Sequence, residues 1–157
     1  MALVYTIGHS KHDITDFLSL LKEQGISIVF DVRSEPFSRR MPQFAKQELE
    51  RFLKADGFEY IYLGDALGGH PKDQSLYNGK GILSYDCVTS SEAFVNAISL
   101  VIKTAVDQKA ALLCAEGLPN KCHRESILGC YLRSLGHRVL HILPDGEIRE
   151  NQQLNLL

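Results

Sequence analysis

AALLCAEGLPNKCHRESILG, residues 110–129, is the stretch from which the rest of the chain is read. Ala110 to Cys114 is an apolar run of strand length. From Ile127 the apolar residues return at helical spacing, through Leu128, Tyr131, Leu132 and Leu135, and Gly136 can close that helix. A strand, a polar loop and a helix in that order form half of a βα repeat. The loop between them gathers two cysteines, two glutamates, a histidine and an arginine.

The same alternation runs outward in both directions. Leu3–Ile7 reads as a first strand, and Ile14, Phe17, Leu18 and Leu21 mark one face of a helix that Asp13 and Asp16 can cap and Gly25 can end. Ile26–Phe30 follows as a strand. Leu49, Phe52 and Leu53 mark a helix ending at Gly57, and Tyr60–Leu63 gives a third strand. Residues 64–89 lose periodicity and gain Gly68-Gly69, Pro71, Asn78-Gly79 and Gly81, which predicts a long irregular excursion. A helix through Phe94, Ala97, Ile98, Val101, Ile102 and Ala105 precedes the opening strand, and Val139–Leu143 supplies a fifth. The pattern predicts a single α/β domain over residues 1–157, a three-layer α/β/α arrangement with a mainly parallel five-stranded sheet. If the excursion carries the chain back past the first strand, the order is 3-2-1-4-5.

Composition sets outer limits. The chain has 157 residues, 45% of them hydrophobic, enough for one buried core. Seventeen Lys and Arg against 19 Asp and Glu give a net charge of -2, so no global basic field points to nucleic acid or an anionic membrane, and any anion site is local. MALVYTIGHS carries no charged leader before an apolar stretch, and no run reaches the roughly 20 apolar residues of a membrane span. A cytoplasmic protein is expected, and free thiols rather than disulfides for Cys87, Cys114, Cys122 and Cys130.

In such a sheet all strands present their carboxyl ends at one edge, and ligands bind there at the switch point. Those ends are Gly8-His9-Ser10, Asp31-Val32-Arg33, Gly64-Asp65, Cys114-Ala115-Glu116 and Pro144-Asp145, and the order 3-2-1-4-5 puts the switch between His9 and Cys114. Asn120 is the expected N-cap, placing Cys122, His123 and Arg124 in the first helical turn. A thiolate at Cys122 is favoured there by the helix dipole and nearby guanidinium groups. Arg124 opposes that dipole and so calls for an anion or a carboxylate, such as Asp31 or Glu116. Together with Lys121 it suggests a phosphate or carboxylate site. Arg33, Ser38, Arg39 and Arg40 follow the second strand. Repeated guanidinium groups suit phosphate, although Asp31 can pair with Arg33, and Arg40 reads as solvated. Gly8 permits close backbone approach, and His9 offers either a general acid or base or a hydrogen bond within its loop. Cys87 and Cys130 read as packing groups, and His12, His70, His137 and His141 receive no role.

Thr6-Ile7-Gly8-His9-Ser10, Asp31-Val32-Arg33 with Pro36, Ser38, Arg39 and Phe44, Leu67-Gly68-Gly69, and Cys114-Ala115-Glu116 with Pro119 and Cys122-His123-Arg124 together resemble the motifs of domain-of-unknown-function family 488. The resemblance spans the chain from the first strand to the fifth. It implies a small α/β domain with a motif-lined edge and names no reaction. In that family the Leu-Gly-Gly turn is followed by a basic residue resembling arginine, where this chain has His70-Pro71.

Three functions fit these residues. The first is a cysteine-dependent hydrolase or transferase acting on a phosphorylated or nucleotide-like anion, with Cys122, Cys114, Glu116 and His9 as catalytic candidates. Arg33, Arg39, Lys121, Arg124 and Ser38 would hold the anion, supported by Gly8, Asp31 and His123. Nine residues separate Cys114 from Arg124, unlike the five of cysteine phosphatases. The second is a module that binds a nucleotide or nucleic acid without catalysis. The third is a zinc hydrolase of deaminase type using Cys114, Cys122 and His9 or His123, with Glu116 moving protons; it lacks the later C-x-x-C of that pattern. The first expectation carries no cofactor.

Overall fold

The computed structural model describes residues 1–151. Its strands are β1 Leu3–Gly8, β2 Ile28–Asp31, β3 Glu59–Tyr62, β4 Ala110–Cys114, β5 Arg138–Ile142 and β6 Ile148–Arg149. The α-helices are α1 Ile14–Glu23, α2 Lys46–Ala55, α3 Gly64–Leu67, α4 Tyr85–Ser90, α5 Glu92–Asp107 and α6 Cys130–Ser134. Local chemistry explains their ends. The Asp13 carboxylate accepts the Asp16 N–H at 2.8 Å to start α1, Ser91 caps α5 through the Phe94 N–H, and Gly25 leaves α1 at a φ of +70°.

The α/β architecture expected from the alternation is present, with one further strand. The six-stranded sheet runs β3-β2-β4-β1-β5-β6, parallel throughout except for β6, which returns antiparallel on β5. At two residues, β6 is too short to leave a periodic signal. Compared with the order 3-2-1-4-5, β1 and β4 have exchanged adjacent places. Constant crossover hand explains why that arrangement is equally acceptable. The two connections that step towards β3, through α1 and through α2, cover one face. The two that step back, through α3 to α5 and through α6, cover the other.

Strand periodicity divides the core accordingly. Along β4, Ala110, Leu112 and Cys114 face α5 and α6 with Phe94, Ile98, Val101, Leu128 and Leu132. Ala111 and Leu113 face α1 and α2 with Phe17, Leu21, Leu49 and Leu53. Each such leucine or phenylalanine, fully enclosed, contributes about 2 kcal/mol of transfer free energy. The segment expected to be irregular, 64–89, contains α3, a 3-10 turn at Gln74–Leu76, a bridge between Tyr77 and Leu83, and most of α4. These pieces are too short for helical periodicity to register.

The loop after Cys114 differs from the expected single helical start. Pro119–Lys121 forms its own 3-10 turn, so Asn120 lies inside that turn and caps nothing. Cys122 takes the capping place instead. It is extended at φ −148°, ψ 156°, its Sγ accepts the Arg124 N–H at 3.3 Å, and its carbonyl accepts from Glu125 and Ser126. The first turn, Arg124–Gly129, is a π-helix that passes directly into α6.

Gly8 is where β1 meets this loop. Gly8 pairs with Cys114, and a Cβ on it would stand 1.6 Å from the Glu116 carbonyl oxygen, a backbone atom that cannot swing aside. Gly8→Ala is therefore expected to cost about 3 kcal/mol, by the strain of overpacking a closed site. Denaturant unfolding against the parent checks this; a loss of only a few tenths would show that the two loops can separate freely.

Candidate active site

The carboxyl ends of β2 and β4 are neighbours, and their loops leave in opposite senses, one to α2 and the other over the opposite face to α6. A crevice opens at such a divergence. It is a cleft of about 730 Å³, lined from β2 by Arg33, Ser34 and Glu35, from the loop after α3 by Gly69 and His70, and from the β4 loop by Cys114 to Glu116 and Asn120 to His123. The switch expected between His9 and Cys114 thus lies one strand over, because β4 separates β1 from β2.

At the cleft floor the sulfurs of Cys114 and Cys122 stand 2.7 Å apart. Cys114 is buried at 3% exposure and Cys122 is half-buried. The hydrogen bond that Cys122 shares with Cys114 holds the Cys122 pKa far below the usual thiol range. His123 Nδ1 at 3.9 Å and the Arg124 N–H add to this and outweigh the opposing effect of burial. For Cys114 the same shared hydrogen and burial drive the pKa up. Of the two, Cys122 is the sulfur whose thiolate the site favours.

Arg124 lies beneath them with no exposed surface. Its Nη2 donates to the Gly117 carbonyl at 2.7 Å, while Nε and Nη1 have no hydrogen-bond partner among the described residues. Among the described residues no carboxylate forms a salt bridge with it, Asp31 and Glu116 included, and Glu116 acts only as a longer-range charge. Burial disfavours its charge, and the facing Cys114 and Cys122 lead the groups that restore it. An enclosed guanidinium costs several kcal/mol unless negative charge lies near, and a thiolate at Cys122 supplies that charge. Arg124 does not line the cleft.

Arg33 is arranged in the opposite way. Its Nε and Nη2 form a fork on buried Asp31 at 2.9 and 2.8 Å, and Nη1 donates to the Phe44 carbonyl at 2.6 Å. Tyr60 donates to the same carboxylate at 2.6 Å. Its guanidinium therefore braces the cleft wall. Arg39 and Arg40 are exposed and outside the cleft, and Ser38 Oγ accepts the Met41 N–H, tying its own turn. Ser34 is on the wall instead, as is Ser126, and the Ser34 Oγ accepts the His70 N–H at 2.9 Å. Its position directly after the Arg33 strand exit was the available signal.

His9 also lies elsewhere. It stacks on Phe44 with ring centroids 4.4 Å apart, and its Nδ1 bonds the Ser10 carbonyl at 2.9 Å. Burial lowers its pKa to about 4, so it is neutral at pH 7. His123, the other histidine of the zinc arrangement, stands beside Cys122, but among the described residues no three His, Cys, Asp or Glu side chains are grouped to hold a metal ion. Glu116 and Lys121 are exposed at the mouth, and His123 lines the wall with its Nε2 buried and unpartnered.

A network behind the cleft escaped the sequence reading. Thr6 Oγ1 contacts His141 Nδ1 at 2.5 Å, and His141 Nε2 meets Glu125, which also pairs with Arg133. Burial would raise the Glu125 pKa, but the bonds from His141 and Arg133 prevail and hold it at about 2. The network anchors the π-helix to β1 and β5.

With this geometry in view, the comparison with known families is direct: the family model described as Domain of unknown function DUF488 matches residues 13–132, and the chain belongs to that family. No curated protein and no solved structure matches it. Among the described residues no helix is long and apolar enough to cross a membrane.

Two acid windows follow from His9 and Glu125. A histidine with a folded pKa below its unfolded 6.5 binds its proton only on unfolding, so its stabilisation is complete above 6.5 and declines down to about 4, by on the order of 3 kcal/mol. The depressed Glu125 contributes stability above 4.5 that is lost as pH falls to about 2. Unfolding free energy measured against pH should show both steps, and His9→Phe should flatten only the upper one. A parent curve flat from 6.5 to 4 would mean that His9 charges in the folded state.

Proposed function

We propose that the protein is a cysteine-dependent hydrolase or transferase whose cleft takes a small phosphorylated or nucleotide-like anion, with Cys122 as nucleophile. The observation that carries the reading is the Cys122 sulfur at the cleft floor, in hydrogen-bond contact with the Cys114 sulfur and accepting the Arg124 N–H near an enclosed guanidinium. That arrangement supports a thiolate without requiring a metal ion or cofactor.

Attack by Cys122 on an electrophilic carbon or phosphorus forms the sulfur bond while the leaving group departs with its electron pair. Water or a second substrate then takes the transferred group and returns the thiolate. Glu116 at the mouth would remove the proton from that acceptor, and Lys121 would draw the anion in. Arg124 would act through the sulfurs rather than on the substrate, and Asp31, Arg33 and Gly8 would hold the walls. His123 would supply its ring nitrogen beside the sulfur. Free thiols at Cys87, Cys114, Cys122 and Cys130 suit a reducing, cytoplasmic setting.

Iodoacetamide at about pH 6, where an ordinary thiol of pKa about 8.5 is protonated, is expected to label Cys122 before exposed Cys87 and Cys130. Cys122→Ser should abolish the fast phase and leave the fold intact. Phosphate or sulfate should raise the melting temperature, and Lys121→Ala should diminish that rise. Mass spectrometry finding Cys122 modified only after denaturation would remove the thiol mechanism. A surviving anion response would then favour the binding-only alternative.

A further inference from the structure

A nucleophilic cysteine needs no second sulfur, yet Cys114 stands against Cys122 with its own pKa driven the other way. At 2.7 Å the sulfurs are well inside non-bonded contact and a short movement from the roughly 2.05 Å of a disulfide. Eight positions separate them, so closing the bond links only the loop that already wraps over the cleft floor. Both sulfurs line the cleft floor, Cys122 the more exposed of the two and Cys114 buried at 3% exposure.

We infer that Cys122 and Cys114 are a redox-active dithiol, with hydroperoxide as the oxidising substrate and a small thiol as the reductant. The Cys122 thiolate attacks the terminal peroxide oxygen; a sulfur–oxygen bond forms, the oxygen–oxygen bond breaks, and the departing alkoxide takes a proton from water to leave as the alcohol. Cys122 is then a sulfenic acid. Cys114 attacks that sulfur, its proton leaves with the displaced hydroxide as water, and the disulfide forms. Two molecules of a small thiol restore both cysteines by exchange and emerge as their own disulfide. The cycle consumes one hydroperoxide and two thiols and yields an alcohol, water and one disulfide. Arg124 stays beneath the sulfurs throughout and offsets the charge on whichever is thiolate.

The inference rests on the nucleophilic Cys122 proposed above, and one experiment separates the two. Reduced full-length protein is treated with a single equivalent of hydrogen peroxide, and its mass and peptides are read. The expected product lacks two hydrogens, joins the peptides containing Cys114 and Cys122, forms about tenfold faster than in urea-unfolded protein, and reverts with a small thiol. Cys114→Ser, or Cys114→Ala if that variant does not fold, should instead leave a sulfenic acid at Cys122 that dimedone captures. Parent protein in which Cys122 gains oxygen without the cross-link overturns the dithiol and leaves the nucleophile standing. A Cys122 inert to both peroxide and iodoacetamide overturns both readings, and the parent measurement alone decides even if neither variant folds.

Discussion

Placing β4 between β2 and β1 commits the chain after Cys114 to climb over one face while the chains on either side turn to the other. Everything at the working edge follows from that crossing. The β4 loop lies so close to β1 that only a glycine fits at position 8, and its carbonyls accept the His9 and Ser10 N–H groups. On the other side the loops of β2 and β4 diverge and leave the cleft. Cys114, the last residue of a strand covered on both faces, is thereby buried at the bottom of an open space, where a second sulfur from the same loop can reach it.

Two enclosed arginines show how differently one fold can treat the same charge. Arg33 finds a carboxylate, a carbonyl and the support of Tyr60, so it is fully answered and serves as masonry. Arg124 has one carbonyl and otherwise unpartnered nitrogens. Breaking a buried ion pair usually costs about 3–5 kcal/mol, so a guanidinium left in that condition must draw its stabilisation from the sulfurs above it. The site therefore couples stability to the protonation of its own thiols.

The strands and major helices were legible because each carries enough apolar residues to show a period, and the Ala110–Cys114 run coincides with β4. Strand order was less so: 3-2-1-4-5 and 3-2-4-1-5 place the same helices on the same two faces, and local pattern does not distinguish them. That single exchange moved the cleft from His9 to Ser34. The misplacement of Arg124 at a helix start was a true signal of an unusual electrostatic site, but the leading answering groups are sulfurs, with Glu116 secondary and Asp31 committed to Arg33. Pro119 hid the capping role of Cys122 by starting a turn of its own. The contacts among Thr6, His141, Glu125 and Arg133 join residues up to 135 positions apart, a separation at which local periodicity carries no information.

The π-helix at Arg124–Gly129 gives this segment an exacting length. A π turn holds more residues than an α turn, and here it lets consecutive side chains serve different masters, Arg124 beneath the sulfurs and Glu125 on His141. Removing one residue would relax the turn to ordinary helix and rotate everything before it by about 100° relative to α6. The thiols and the anchoring network could not then both keep their partners. Insertions and deletions in these six residues are thus constrained as tightly as the cysteines themselves, and register, as much as chemistry, is what this turn preserves.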